Sequence, residues 1–392
     1  MKRIFSVFLA FIMMTALVGL NVTAAAKSAW DGYTIISSAA DLLKMKNSDG
    51  RFYLIKDIDL KSYGEWNERI TFRGTLDGNG YCVKNLTSSE YGLFYSLSGA
   101  TVRNLGITDT EIISADGHVG ALTRKCVNTK VDNCYVTGHV ESTAPDGVAA
   151  GLVGFGYNNG GNTLTNCVNM ADIVGYEACG LCCSDETDVF EHCVNYGTVS
   201  GGKYAGGICC ALGTTMKSCF SLGEISTESS DGKPGGLAGK AGDSAVMLNC
   251  ATSSPAAIGR ASKDCAAQAD EGISKSKFKK PSTYDFDFGK TWAMSKKVNS
   301  GYPVLAIMLR NYNGSKPVAS NPAGSYKNSV RVELTTDIEG GVIRYTTDGK
   351  TPTASSSKYT KPLTFKKDTT VKAAVFVNGV RAKVVTLKYT IK

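Results

Sequence analysis

One six-residue phrase recurs between positions 102 and 251, and it limits the folds open to this chain more than any other feature. The copies are Asn133-Cys134-Tyr135-Val136-Thr137-Gly138, Asn166-Cys167-Val168-Asn169-Met170-Ala171, His192-Cys193-Val194-Asn195-Tyr196-Gly197, Ser218-Cys219-Phe220-Ser221-Leu222-Gly223 and the shorter Asn249-Cys250-Ala251-Thr252. A second phrase alternates with it: Gly120-Ala121-Leu122, Gly151-Leu152, Gly180-Leu181, Gly207-Ile208 and Gly236-Leu237. The cysteines recur after 33, 26, 26 and 31 positions, a period that signals stacked coils rather than a closed globule. Within a period the runs are short, alternate apolar with polar, favour Val, Ile, Tyr and Thr, and are broken by Gly, Asn, Asp and Ser, which is the pattern of strands and turns. A coil of short strands cannot bury its apolar side alone, so the coils must stack as a parallel β-helix. Equivalent side chains then stand one above another at roughly 4.8 Å, and the recurring cysteine becomes a column inside the stack.

The phrases Phe72-Arg73-Gly74-Thr75-Leu76-Asp77-Gly78-Asn79-Gly80-Tyr81, Phe286-Asp287-Phe288-Gly289-Lys290-Thr291-Trp292 and Gly301-Tyr302-Pro303-Val304-Leu305, together with the glycine-aliphatic repeats, resemble the GLUG-repeat family over Trp30 to Ile307. That resemblance implies a right-handed parallel β-helix in a bacterial secreted or surface protein. The motif also occurs in IgA-cleaving metalloproteases.

At the start, Lys2 and Arg3 precede an apolar run from Ile4 to Leu20, and small residues follow at Thr23-Ala24-Ala25-Ala26. This is the layout of a secretory signal peptide over residues 1–26, which predicts a secreted or cell-surface location and no membrane span after processing. The β-helix is expected over 27–310. Ser38-Ala39-Ala40-Asp41 reads as a capping box, with Leu42, Leu43 and Met45 on one face, and predicts a short helix covering the first coil. Residues 256–280 lose the strand pattern, and 285–305 are expected to close the last rung through Trp292, Tyr302 and Leu305.

Thirteen cysteines is an odd number, spaced by the repeat rather than by a disulfide framework, so most are expected to be free and buried. Cys179-Gly180-Leu181-Cys182 has the form of a redox or zinc pair, but Cys209-Cys210 repeats the doublet at the coil period without a second pair at ligand spacing. No metal or other cofactor is therefore expected. His118, His139 and His192 form no His-Glu-x-x-His motif, which excludes that type of metalloprotease site from this stretch of chain. Asp57 and Asp59 alternate with Ile58, Asp77 sits in a Gly-Asn turn, and Asp185 to Asp188 read as a loop. Such acids can serve a lyase or hydrolase, yet none repeats at coil spacing, so they read as solvated turn residues.

Residues 311–316 read as a linker, and 317–392 as a small β-sandwich of the immunoglobulin or fibronectin kind. Val330, Val332 and Leu334 alternate, Val342 to Thr346 is a strand, and Thr370 to Val377 and Lys383 to Ile391 are joined through Asn378-Gly379. Ile343 to Thr353, with Tyr359-Thr360-Lys361-Pro362-Leu363, resembles the chitobiase/β-hexosaminidase C-terminal domain, which implies an accessory module without catalytic residues.

The formal charge is +8, with lysines clustered at 275–280 and 358–367. Anionic wall polymers or acidic glycans are the partners such clusters favour; a modest net charge gives no ground for a nucleic-acid partner. The leading expectation is a non-catalytic adhesion or glycan-binding protein. The alternatives are a polysaccharide lyase or glycosidase with its groove on the β-helix, and a structural spacer. Trp66 and Tyr157 lie in apparent turns with no core to fill and are the candidate sugar-stacking residues.

Overall fold

The computed structural model describes residues 31–156, 161–184, 188–213 and 215–392. The expected signal segment and Tyr157 lie outside the described residues. What is described is nearly all β: a parallel β-solenoid of about seven turns followed by a small β-sandwich.

Each coil contributes a strand to three parallel sheets. The first runs from Tyr33–Ile36 to Val246–Leu248, the second from Thr71–Phe72 to Ile258–Ala261, and the third from Ile58–Asp59 to Ala251–Thr252. Register is kept from coil to coil, so one apolar column in the first sheet reads Phe52, Leu76, Val102, Val131, Leu164, Phe190, Met216 and Met247, all buried.

The two repeated phrases are the corners of the coil. Asn104, Asn133, Asn166, His192, Ser218 and Asn249 all have φ between 50° and 55°, the left-handed region, where the chain leaves the first sheet for the third. A side-chain-bearing residue there costs roughly 1–2 kcal/mol, and Asn pays least because its short amide bonds locally. Those amides also stack: Asn133 Nδ2 donates to Asn104 Oδ1 at 2.8 Å, and Asn166 Nδ2 to Asp132 at 2.9 Å. At the corner between the third and second sheets the constraint is space. A Cβ on Gly180 would stand 2.0 Å from the carbonyl oxygen of Gly207, and one on Gly207 2.0 Å from that of Gly236. The following aliphatic residues, Leu152, Leu181, Ile208 and Leu237, fill the interior behind them.

The expected cysteine column is present. Cys134, Cys167, Cys193, Cys219 and Cys250 are buried, and each thiol lies 3.2–3.4 Å from the backbone carbonyl two residues earlier. All thirteen cysteines are free. Beside this column runs a polar one: Asn169 Nδ2 donates to Asn195 Oδ1 at 2.8 Å and to Ala171 O, while Asn195 Nδ2 donates to Gly197 O and reaches Ser221 Oγ at 3.4 Å. These fully buried amides are tolerated because each finds a partner.

The N-terminal cap is as expected: the helix Ala39–Leu42 begins at Ser38, whose hydroxyl accepts from the Asp41 amide, and Leu42 and Met45 are buried. The other end differs. The segment 285–305 does not close the last rung; Cys265, Ala267 and Ala269 of the preceding irregular stretch pack there instead. The closing segment runs back along the side of the third sheet. Alternation explains why: the residue after each corner cysteine points outward, giving a column of Tyr135, Val168, Val194, Phe220 and Ala251 that needs cover. Phe278, Tyr284, Phe286, Trp292 and 304–309 supply it, with Phe286 stacked on Trp292 at 4.1 Å and Trp292 Nε1 donating to Asn166 Oδ1 at 3.0 Å. Asp285 extends the same seam, accepting from Ser218 Oγ at 2.6 Å and lying 3.8 Å from His192 Nε2, at the two corners that lack Asn.

The sandwich holds a main sheet in the order Gly324–Tyr326, Val385–Ile391, Thr369–Val377, Val342–Thr346, Ser357–Lys358, faced by two short strand pairs. Asn378 and Gly379, at φ 45° and 80°, make the expected tight turn. Tyr389 is core, as its strand face requires, whereas Tyr345 is only half-buried.

Replacing Cys193 with Asp buries a charge without a partner and is expected to cost several kcal/mol, against about 1–2 kcal/mol for Cys193→Ala. Chemical denaturation of the two variants checks this; equal stability would place the side chain outside the interior. Asp41 is held well below the usual carboxylate range, first by the Lys44 ammonium at 2.6 Å and then by the Ser37 amide. A carboxylate depressed on folding stabilises above its unfolded value of about 3.9 and loses that contribution as pH falls toward the folded value. Asp41→Asn should therefore lower stability at pH 7 and lower it by less at pH 2, read by thermal unfolding at both.

Candidate binding cleft between solenoid and sandwich

The connection at 311–316 is not a free tether. Ala306–Asn311 and Asn313–Ser315 are 3₁₀ turns, Asn311 Nδ2 donates to the Tyr135 hydroxyl at 2.8 Å, and Ser315, fully buried, donates to Leu309 O at 2.6 Å and accepts from the Lys383 amide at 3.2 Å. The sandwich core is continuous with the closing segment, a strap from Phe278 to Leu309, and with the outer column of the third sheet. Where the two halves diverge they leave a cleft of about 630 Å³.

On the solenoid side the cleft is walled by the starts of successive rungs. In Cys82–Lys84, Val83 points inward, so Cys82 and Lys84 face out. Thr108 pairs with Lys84 one coil on, just before the register shift at Asp109, whose φ is 57°. Asp57 accepts from the Cys82 amide at 3.0 Å and from Lys84 Nζ at 2.7 Å, with Arg310 3.7 Å away. The Arg310 guanidinium lies 4.3 Å above the Tyr81 ring. The sandwich adds Arg381, which donates to Pro352 O at 3.2 Å, and Lys383.

Four cations thus face two carboxylates, Asp57 and Asp109. The hydrogen bond to Asp57 raises Lys84 against the effect of its burial, so it stays cationic. Burial pushes the Tyr135 hydroxyl well up, and holds Tyr312 up at about 12, so both remain neutral donors. Thr108 is only 6% exposed, and its hydroxyl has no hydrogen-bond partner among the described residues. An unmet buried hydroxyl costs about 1–3 kcal/mol.

The residues singled out from sequence fall elsewhere. Trp66 is fully buried, its Nε1 donating to Leu93 O at 3.0 Å. The loop 61–70 is a wide corner of the first coil, and the indole fills it, so its face is closed to a sugar. Asp77 is also buried, held by Arg103 at 2.7 Å. Asp188, read as part of an exposed loop, lies inside the solenoid and accepts from the amide and side chain of Asn162. Asp185 to Thr187 lie outside the described residues. Cys179 and Cys182 do not pair: Cys182 faces the interior and Cys179 lies outside it.

Arg310, Arg381 and Lys383 were missed because they are 253 or more residues from Asp57 in sequence and no repeat marks them. Arg310 alone carried a signal, as a charge ending an apolar run.

Residues 321–386 match the chitobiase/β-hexosaminidase C-terminal domain family. No curated protein matches the chain. Among solved structures, a Bacteroides ovatus protein described as a candidate immunoglobulin A1 protease is similar at 19% identity and TM-score 0.55, over 70% of this chain and 92% of that one. A second, an IgA1 protease, is 16% identical with TM-score 0.47 over 60% of this chain, and the match spans 21% of that protein. At these identities the first likeness speaks for the fold alone.

Because the connection is packed, limited proteolysis of the native protein should spare residues 311–316 and release no separate sandwich. Rapid cleavage there, detected by mass spectrometry, would mean that the interface opens in solution.

Proposed function

We propose that this is an exported, non-catalytic binding protein of the bacterial surface, in which the cleft between solenoid and sandwich holds acidic extracellular glycans. The carrying observation is a cleft rimmed by Lys84, Arg310, Arg381 and Lys383 against two carboxylates, Asp57 and Asp109. Carboxylate or sulfate groups suit such donors. Arg310 covers the Tyr81 ring, so recognition rests on charge and hydrogen bonds more than on stacking. The sandwich belongs by family match to a type named for glycan-processing enzymes, which is in keeping with a carbohydrate partner. A lyase would need a basic group able to take a proton, and Lys84, held cationic by Asp57, is poorly placed for that. The cleft is built from both halves, so the sandwich here is part of the site rather than a spacer.

Calorimetric titration of the full chain with polygalacturonate and heparin, against neutral dextran, tests this reading. Binding of the acidic polymers should weaken with salt, and Arg381→Ala with Lys383→Ala should weaken it at least ~10-fold, about 1.4 kcal/mol. Equal binding of dextran would discard the charge-based reading. No binding of any polymer would favour a spacer, and unsaturated uronide products would make it a lyase.

A further inference from the structure

Three cysteines stand apart from the interior columns. Cys182 and Cys209 are in register and face the solenoid interior, so alternation turns Cys183 and Cys210 outward on neighbouring coils. Outward does not mean exposed. The long third-sheet strand Val168–Cys179, paired with Val148–Ala150 and Val199–Gly206, overruns its corner and brings Cys179 over the same spot. Cys179, Cys183 and Cys210 form a separate buried cluster with Val148 and Ala150, none more than 7% exposed.

The geometry is a triangle rather than a ladder. All three sulfurs lie within 4.8 Å of one another, with Cys179 and Cys183 2.7 Å apart. The five thiols of the corner column each meet the carbonyl two residues back, which is what packed structural cysteines do. The outer three converge on one another, drawn from three strands of two adjacent coils. Among the described residues no His, Asp, Glu or fourth Cys joins them.

We infer that Cys179, Cys183 and Cys210 form a trigonal all-thiolate site for a soft monovalent metal ion of the copper(I) class. Thiolate donors select soft metals, and zinc in a closed protein site takes four ligands. Here the cluster is packed against Val148 and Ala150, with the Ala149 carbonyl oxygen 3.8 Å from Cys183 Sγ, and no fourth side-chain ligand joins it among the described residues. Copper(I) accepts three sulfurs. With metal–sulfur bonds of about 2.3 Å, as for thiolate-bound zinc, the sulfurs would stand about 4 Å apart, so Cys179 and Cys183, 2.7 Å apart, must separate by about 1.3 Å on loading. Lys240, paired with Glu177 at 3.3 Å, places a cation near Cys210. Each thiol that binds the ion releases its proton to solvent, and no electrons move.

The test uses the full chain purified under anaerobic reducing conditions and titrated with copper(I) against the competing chelator bathocuproine disulfonate. One equivalent should be taken from the chelator. Cys210→Ser and Cys183→Ser should each weaken uptake at least tenfold, while Cys193→Ala, in the interior column, should not change it. X-ray absorption of the loaded wild-type protein, which does not depend on any variant folding, should count three sulfur neighbours. Failure to compete, uptake lost with Cys193→Ala but kept in Cys210→Ser, a two- or four-sulfur count, or a Cys179–Cys183 disulfide that survives the reductant would overturn the assignment.

Discussion

Everything in this molecule depends on holding neighbouring coils in register at two corners. The first corner needs a residue that accepts the left-handed region, and the second needs one with no side chain, because the next carbonyl stands 2.0 Å from where a Cβ would be. Neither requirement is satisfied by hydrophobicity, so the repeat is written in Asn and Gly. With the corners fixed, a one-residue slip would turn every interior Cys, Leu and Val outward, and the cost over the stacked coils forbids it.

The same alternation creates the problem that the rest of the chain solves. An inward cysteine column means that the next residue faces out, and those residues are Tyr, Val, Val, Phe and Ala. An apolar stripe along a sheet face must be covered. The strap from Phe278 to Leu309 covers it and carries the chain back toward the first coils, so the sandwich docks beside the solenoid instead of extending it. The cleft is a consequence: it forms where the strap ends at Arg310 and the sandwich turns away from Tyr81 and Thr108.

The two polar features differ in kind. Asn169, Asn195 and Asp188 are buried and satisfied, which makes them parts of the scaffold. Thr108 is buried without a partner, in a cleft where cations outnumber carboxylates. Satisfied groups hold a fold together, and an excess of cations around an open cleft is where an anionic molecule gains most.

By itself the sequence determined the coil period, the strands, the two corners, the interior cysteine column, the N-terminal cap begun by Ser38 and the separate C-terminal module, because each is a local pattern of alternation, turn chemistry or capping. What only the tertiary structure decided was where non-local surfaces meet: that Trp66 fills a corner, that Asp188 turns inward, that the strap lies along the side, and that Arg310, Arg381 and Lys383 join Thr108. Chain segments hundreds of positions apart come together through buried area and shape, and neither leaves a periodic trace in the order of residues.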